Sequence, residues 1–287
     1  MYPASFEYHR ATSVKDALGL LQKFGDDAKL LSGGHSLIPM MKLRLAQPAH
    51  LIDIAGIRDL GQIREDGGKV VIGAGATHAQ VETSDIVRKR IPLLAECAAE
   101  IGDVQVRNRG TIGGSLAHAD PAADYPAAVL ALEAEIRLEG ASEARTIKAD
   151  DFFVDLLTTA AESGEILTQV SFAPLGARTG SAYLKHRQPA SGFALVGVAA
   201  IVTLDVRGNC ERVRVGVTGL GPKAFRAKGV EAALTGRAPG SAADAASQAA
   251  DGIDALADIH ASADFRAELA RVYTRRALEL AAGRATS

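Results

Sequence analysis

Val14, Ala17, Leu18 and Leu21 recur at the three- and four-residue spacing that puts side chains on one helical face. Ser13 precedes the run as a cap, Asp16 suits the positive end of the helix dipole, and Gly25 is a natural stop. The short apolar run Ala28–Leu31 reads as a buried strand leading into Ser32-Gly33-Gly34-His35-Ser36. Ser36 is placed to cap a short helix over Leu37–Lys42, and His50–Ile54 reads as a strand that closes a small βαβ-like unit. Further on, Lys69–Gly73 predicts a strand and Thr77–Val81 a helix start. Pro92 opens an apolar helix that runs to Gly102. Val104–Arg109 then leads into a second glycine pair, Thr111-Ile112-Gly113-Gly114-Ser115.

The apolar stretch Pro126–Leu132 follows, then strand patterns at Glu135–Leu138 and Ile166–Val170. Pro174–Gly180 reads as a linker. Beyond it come three strand signals: Ala182–Arg187, Phe193–Val206 and Arg212–Thr218. Arg207-Gly208-Asn209 forms a hairpin turn between the last two. Three Ala-rich helical stretches end the chain, at 224–234, 242–256 and 263–282. The pattern predicts an α+β protein whose last third is a small antiparallel sheet with helices on one side.

Composition narrows the function classes. At 287 residues and 47% hydrophobic, the chain is long enough for two domains and a full core. A net charge of −2 without a basic run gives no electrostatic case for nucleic acid or an anionic membrane. Two cysteines, Cys97 and Cys210, exclude a disulfide framework and a four-cysteine iron–sulfur or zinc site in this chain. They point to a reducing compartment, with Cys97 buried and inert in its apolar helix. No stretch reaches the length of an apolar membrane span, and Met1–Glu7 does not read as a signal peptide, so a soluble cytoplasmic protein is expected. Gly73-Ala74-Gly75-Ala76-Thr77-His78 fails the dinucleotide fingerprint at its last position, and neither a phosphate-loop lysine motif nor H-E-x-x-H occurs.

The two glycine pairs are the candidate chemistry. Glycine lets a backbone approach a ligand closely and adopt φ > 0. Successive free N–H groups in such a turn form a concave nest for an anion, and a following helix reinforces it. Flanking Ser and Thr hydroxyls add donors. Two such cradles on one ligand would suit a pyrophosphate.

These residues, in this order, resemble the medium, flavin-binding subunit of molybdenum hydroxylases of the aerobic carbon monoxide dehydrogenase type, and the flavin domain of xanthine dehydrogenases. The resemblance rests on Phe6-Glu7-Tyr8, Ser32 through Lys42, Val106 through Ser115, Asp120-Pro121-Ala122-Ala123-Asp124, and the final helix from Asp264 to Leu278. It implies FAD held between two subdomains of a vanillyl-alcohol oxidase-like (PCMH-type) fold. Residues 1–176 would form that FAD-binding domain, split near 1–55 and 56–176, and 177–287 a C-terminal domain with a three-stranded antiparallel sheet and helices. Lys29, Leu30, Leu31, Ser32, Gly33, Gly34, His35, Ser36 and Leu37 would line the pyrophosphate region, with His35 acting through its backbone. Thr111, Gly113, Gly114 and Ser115, with Ala117, would form the opposing cradle. Asp124 matches an acid that meets the cofactor; the lesser alternative is a solvated loop carboxylate or a cap for the helix at Pro126. Ile166, Leu167, Lys185 and Phe193 match positions near the isoalloxazine ring, and Lys185 is the candidate to stabilise an anionic flavin, or else a surface strand residue. His118 and Asp120 are expected to be structural.

The resemblance also implies partners. Substrate oxidation would occur at a molybdenum-pterin cofactor in a large subunit. Electrons would pass through [2Fe–2S] clusters in a small subunit to FAD here and leave to an external acceptor. The assembly would be a dimer of heterotrimers, with exposed parts of the C-terminal helices as one contact surface. Members acting on carbon monoxide carry Asp and Tyr or Trp before an Ala where this chain has Ser191-Gly192-Phe193-Ala194. That departure disfavours carbon monoxide and favours an organic, heteroaromatic substrate. A stand-alone flavin oxidase of the vanillyl-alcohol oxidase type is the second reading, opposed by the small Ala-rich C-terminal region. A non-enzymatic nucleotide-binding module is the third.

Overall fold

Three principal sheets organise the computed structural model of the chain, which describes residues 1–286. The first is parallel. It is built from β1 (Glu7–Arg10), α1 (Val14–Phe24), β2 (Ala28–Leu31), α2 (Leu37–Lys42) and β3 (His50–Asp53), with β3 central in the order β1-β3-β2. Ser13 caps α1 by accepting from the Asp16 N–H, and Gly25 ends it at φ +55°. α1 packs its apolar face on Ala28, Ile52 and Ile54 in a small core. Strand β1 was not signalled by the hydrophobic pattern, because Glu-Tyr-His-Arg has no apolar alternation; pairing with β3 makes it a strand. Ser36 sits where a cap should, yet its side chain makes no capping hydrogen bond and its backbone is already helical.

The second unit holds a five-stranded antiparallel sheet and most of the helices. Its elements run β4 (Ile63–Asp66), β5 (Lys69–Gly73), α3 (His78–Thr83), α4 (Asp85–Arg90), α5 (Pro92–Ala99), α6 (Val104–Arg107), α7 (Ile112–His118) and α8 (Tyr125–Ala131). Then come β6 (Glu135–Glu139), β7 (Ala144–Lys148), α9 (Ala149–Phe152), β8 (Phe153–Asp155), β9 (Thr158–Thr159) and β10 (Ile166–Phe172). The sheet order is β4-β5-β10-β6-β7, and β8 and β9 form a separate ribbon. Thr77 and Gln80 close a reciprocal capping box at the start of α3. The apolar run from Pro92 is helical only to Ala99, short of Gly102.

The last unit contains β11 (Thr179–Arg187), β12 (Ala194–Leu204), β13 (Cys210–Thr218), β14 (Phe225–Arg226), α10 (Lys228–Leu234), α11 (Ala242–Ala246) and α12 (Ala263–Ala285). The sheet is antiparallel in the order β11-β12-β13-β14. It has four strands rather than the three expected, since two-residue β14 is too short to leave a pattern. Thr179 and Gly180 belong to β11 and not to the linker. The Ala-rich stretch 242–256 is helical only in α11; turns follow it up to Gly252, at φ +72°. Strand β12 is buried along nearly its whole length, as a strand covered on both faces must be. Its alternation divides two cores: Ala199 and Ile201 face the second unit, while Val196, Val198, Ala200 and Val202 pack in the core that contains the α12 residues Ala270, Ala277 and Leu278.

Candidate functional site

The turn after β2 and the start of α7 meet. The Ser32 and Thr111 hydroxyls are 3.1 Å apart. A Cβ on Gly33 would collide with the Arg109 carbonyl and the Gly110 Cα, so the two segments approach this closely only because residue 33 is glycine. Gly34 takes φ +75°, the left-handed region that turns the chain into α2. Among the described residues, the N–H groups of Gly33, Gly34 and His35 have no backbone partner. This turn is therefore a nest with free donors.

The second glycine pair is different from the expected loop. Thr111 caps α7 and the pair forms its first turn. The N–H of Gly113 bonds Ala74 O at 2.8 Å and that of Gly114 bonds Thr111 Oγ1 at 3.1 Å, so neither remains free for a ligand. Gly113 is needed because a Cβ there would strike Ala74. A Cβ on Gly114 would meet only its own cap, Thr111 Oγ1, at 2.8 Å, and otherwise open space. One cradle thus supplies amides; the other supplies clearance and hydroxyls.

Both segments line one cleft of about 1020 Å³. That lies at the top of the usual range for small-molecule sites, roughly 300–1,000 Å³, and suits a dinucleotide-sized ligand. Of the residues expected at the cofactor, Lys29 through Leu37, Thr111, Gly113, Gly114, Ser115, Ala117, Asp124, Ile166, Leu167 and Phe193 all border it. So do His118 and Asp120, which were expected only to be structural. Asp120 Oδ1 also holds the Ala122 N–H at 2.8 Å.

Lys185 does not border the cleft. Its ammonium is fully buried and bonds Asp124 at 2.9 Å, Glu100 O at 2.6 Å and Gly192 O at 2.7 Å. It is neither a surface residue nor a free cation for an anionic ligand. Its place is behind the wall, where it holds Asp124 and the Gly192 carbonyl together. Tyr183 completes the set by donating its hydroxyl to Asp124 at 2.5 Å. Burial pushes the Asp124 carboxyl up to about 6, while Lys185 and Tyr183 draw it back toward the usual range.

His78 is a cleft residue that sequence reasoning passed over. It lines the cleft, is buried, and its Nδ1 has no partner. Burial lowers its pKa to about 4, with His35 and Arg107 adding to the shift, so the ring is neutral near pH 7. Its ring lies 5.3 Å from that of Tyr125, whose buried hydroxyl also lacks a partner. A signal was available: His78 follows the Thr77 cap directly, which fixes it at the first position of a helix. The loops 140–143 and 162–165 also wall the cleft and escaped notice because they carry no glycine-hydroxyl pattern. The glycine nest, the clearance at Gly114 and the orphaned His78 nitrogen together fit an anionic dinucleotide with hydrogen-bonding groups.

Comparison with known proteins agrees with this geometry. Residues 4–174 match the FAD binding domain in molybdopterin dehydrogenase, and residues 181–281 match the CO dehydrogenase flavoprotein C-terminal domain. The chain is 43% identical to the carbon monoxide dehydrogenase medium chain of Hydrogenophaga pseudoflava, over 98% of each protein. It is 39% identical to the alpha subunit of the 6-hydroxypseudooxynicotine dehydrogenase complex of Paenarthrobacter nicotinovorans, over 99% of this chain and 97% of that one. The solved structure of the Hydrogenophaga pseudoflava carbon monoxide dehydrogenase superposes with a TM-score of 0.96 at 44% identity, covering 99% of each chain. Among the described residues, no helix is long and apolar enough to cross a membrane.

Proposed function

This chain belongs to the family of FAD-binding medium subunits of molybdenum hydroxylases, and from that premise we propose that it is the electron-transfer subunit of such a complex. It would stand between a small subunit carrying [2Fe–2S] clusters and an external acceptor. A large subunit would hold the molybdenum-pterin cofactor and select the substrate, in a dimer of heterotrimers. Bound FAD supplies the redox chemistry that no side chain offers. Residues 1–176 serve as the cofactor domain and 177–287 as the C-terminal domain.

The protein's part is to bind, orient and shield. The free N–H groups of Gly33, Gly34 and His35 are the natural donors to the pyrophosphate, each charge-assisted bond contributing about 1.5–3 kcal/mol. Ser32 adds a hydroxyl beside these amides, and Thr111 and Ser115 add theirs from the facing wall. Asp124 presents a carboxylate edge held in place by Lys185 and Tyr183. Phe193 is half-exposed at the cleft and is positioned by a loop whose Gly192 carbonyl Lys185 fixes. The relatives named for carbon monoxide and for 6-hydroxypseudooxynicotine stand at 43% and 39% identity, so similarity of this subunit does not choose the substrate.

The observation that carries this reading is the shared cleft between two glycine pairs far apart in sequence. The purified chain should contain one FAD, measured by flavin absorbance after denaturation. Gly114→Val should abolish that content while far-ultraviolet circular dichroism stays unchanged, because the new side chain points into the cleft. Stoichiometric FAD in the variant would overturn the cradle. Co-purification from the native host, followed by molybdenum and iron analysis, tests the partners.

A further inference from the structure

Glu7, His9 and His50 form a cluster that the cofactor cleft does not use. Glu7 and His9 are two residues apart on β1, so they share a face, and His50 is the register partner of Glu7 on β3. His9 Nε2 and His50 Nδ1 are 3.1 Å apart. Glu7 Oε2 lies 3.8 Å from the first nitrogen and 3.5 Å from the second. A triangle with these sides has a circumscribed radius of about 2.0 Å, which matches zinc–nitrogen and zinc–oxygen bonds of about 2.0–2.2 Å.

The rings are oriented before any ligand arrives. Phe24, the last residue of α1, stacks on His50 at 3.8 Å and on His9 at 4.7 Å between ring centres. Each histidine keeps about a fifth of its side chain accessible, and Glu7 is exposed, so an ion and its remaining water ligands can reach the cluster. Two imidazoles and one carboxylate, with a fourth position open, are a donor set suited to borderline divalent metals and not to magnesium or calcium.

We propose that Glu7, His9 and His50 bind one divalent transition-metal ion of the zinc type. The ion would tie edge strand β1 to central strand β3. It would thereby brace the sheet whose third strand, β2, delivers the Gly33–Gly34 turn. The site is separate from the flavin cleft, none of whose walls includes these three residues.

The test uses the full chain, purified without a histidine tag and stripped with a chelator. Zn²⁺ alone is titrated in competition with a chromophoric chelator, and thermal unfolding is followed with and without the ion. One Zn²⁺ per chain should bind saturably and raise the melting temperature. Losing an outer-shell partner of a zinc site costs about 10–100-fold in affinity, so His9→Gln and His50→Gln should each weaken binding by at least that much. Glu7→Gln, at an exposed position, should weaken binding by a comparable factor and reduce the thermal shift at a fixed Zn²⁺ concentration. FAD content should stay stoichiometric in Glu7→Gln, which separates this site from the cleft. If no saturable uptake is seen, the two imidazoles share only a hydrogen bond. Uptake that survives His9→Gln and His50→Gln, or is indifferent to Glu7→Gln, equally overturns the three-ligand site.

Discussion

Lys185 commits all three of its N–H donors inside the protein, to Asp124 and to the carbonyls of Glu100 and Gly192. A lysine in a strand pattern gave no hint of this, because Asp124 and Glu100 come from 61 and 85 residues away and Gly192 from the loop seven residues on. Lys185→Met would leave Asp124 buried without its counter-charge and should cost about 3–5 kcal/mol, read by urea denaturation. Pairing it with Asp124→Leu should recover much of that loss. Two buried groups at the cleft also titrate in opposite senses. His78 is depressed from 6.5 to about 4, so the stability it contributes is present above pH 6.5 and is lost as pH falls through that interval. Asp124 is raised from 3.8 to about 6, so its contribution is present below pH 3.8 and is lost as pH rises through 6. Each amounts to about 3 kcal/mol across its interval and the two nearly cancel between pH 4 and 6. Relative to the parent protein, His78→Leu should therefore lose stability as pH rises from 4 to 6, and Asp124→Asn should gain it. Denaturant midpoints measured across that range check both signs.

At the scale of elements, the cleft is made by two chain reversals that solve different problems. The turn from β2 into α2 keeps its amides free because Gly34 takes φ +75° and no capping side chain intrudes. The start of α7 satisfies its own amides through Thr111, Ala74 and Ala76, and offers a bare glycine edge and hydroxyls instead of free N–H groups. Thr111 does double duty, as the α7 cap and as the hydroxyl facing Ser32. Thr111→Ala should cost about 1 kcal/mol of stability, typical of a lost N-cap, and should weaken FAD retention during dialysis. Thr111→Ser should restore both. The Gly-Gly signature was legible in each segment, but its meaning was not. The same two letters make a nest in one backbone conformation and a helix turn in the other, and only the hydrogen-bonding surroundings select between them.

Across the whole molecule, α8 is the keel. It packs against α5 on one side and against β12 and β13 on the other. Gly216 on β13 lies so close to the Ala127 carbonyl of α8 that no Cβ could be accommodated. Gly216→Val should lower stability by about 1–3 kcal/mol or more through overpacking, and a single shifted unfolding transition would show that both domains share one cooperative core. Charged ties reinforce the contact: Arg284 near the end of α12 reaches Glu96 on α5 at 2.6 Å, and Arg187 reaches Glu100 at 2.6 Å. Tyr183, Ala199 and Ile201 of the C-terminal sheet belong to the core of the second unit. The linker pattern at Pro174–Gly180 marked a change of texture in the chain, yet the sheets on either side of it are packed together.

The amphipathic α1, the strand β2 (though only its Ala28 is buried), the strong strands β10 to β13 and the long α12 follow from spacing and capping alone. So does the presence of two glycine-hydroxyl segments, because these are local properties of a few adjacent residues. Strands β1, β4 and β14 were hidden, since a short polar segment becomes a strand only when a neighbour offers its backbone. The cleft itself is decided by the tertiary structure. Which glycine faces a ligand, which amides stay free, and whether Lys185 and His78 are buried all depend on segments brought together from across the chain. Hydrogen bonding and burial are relations between distant residues, and a linear order of side chains does not contain them.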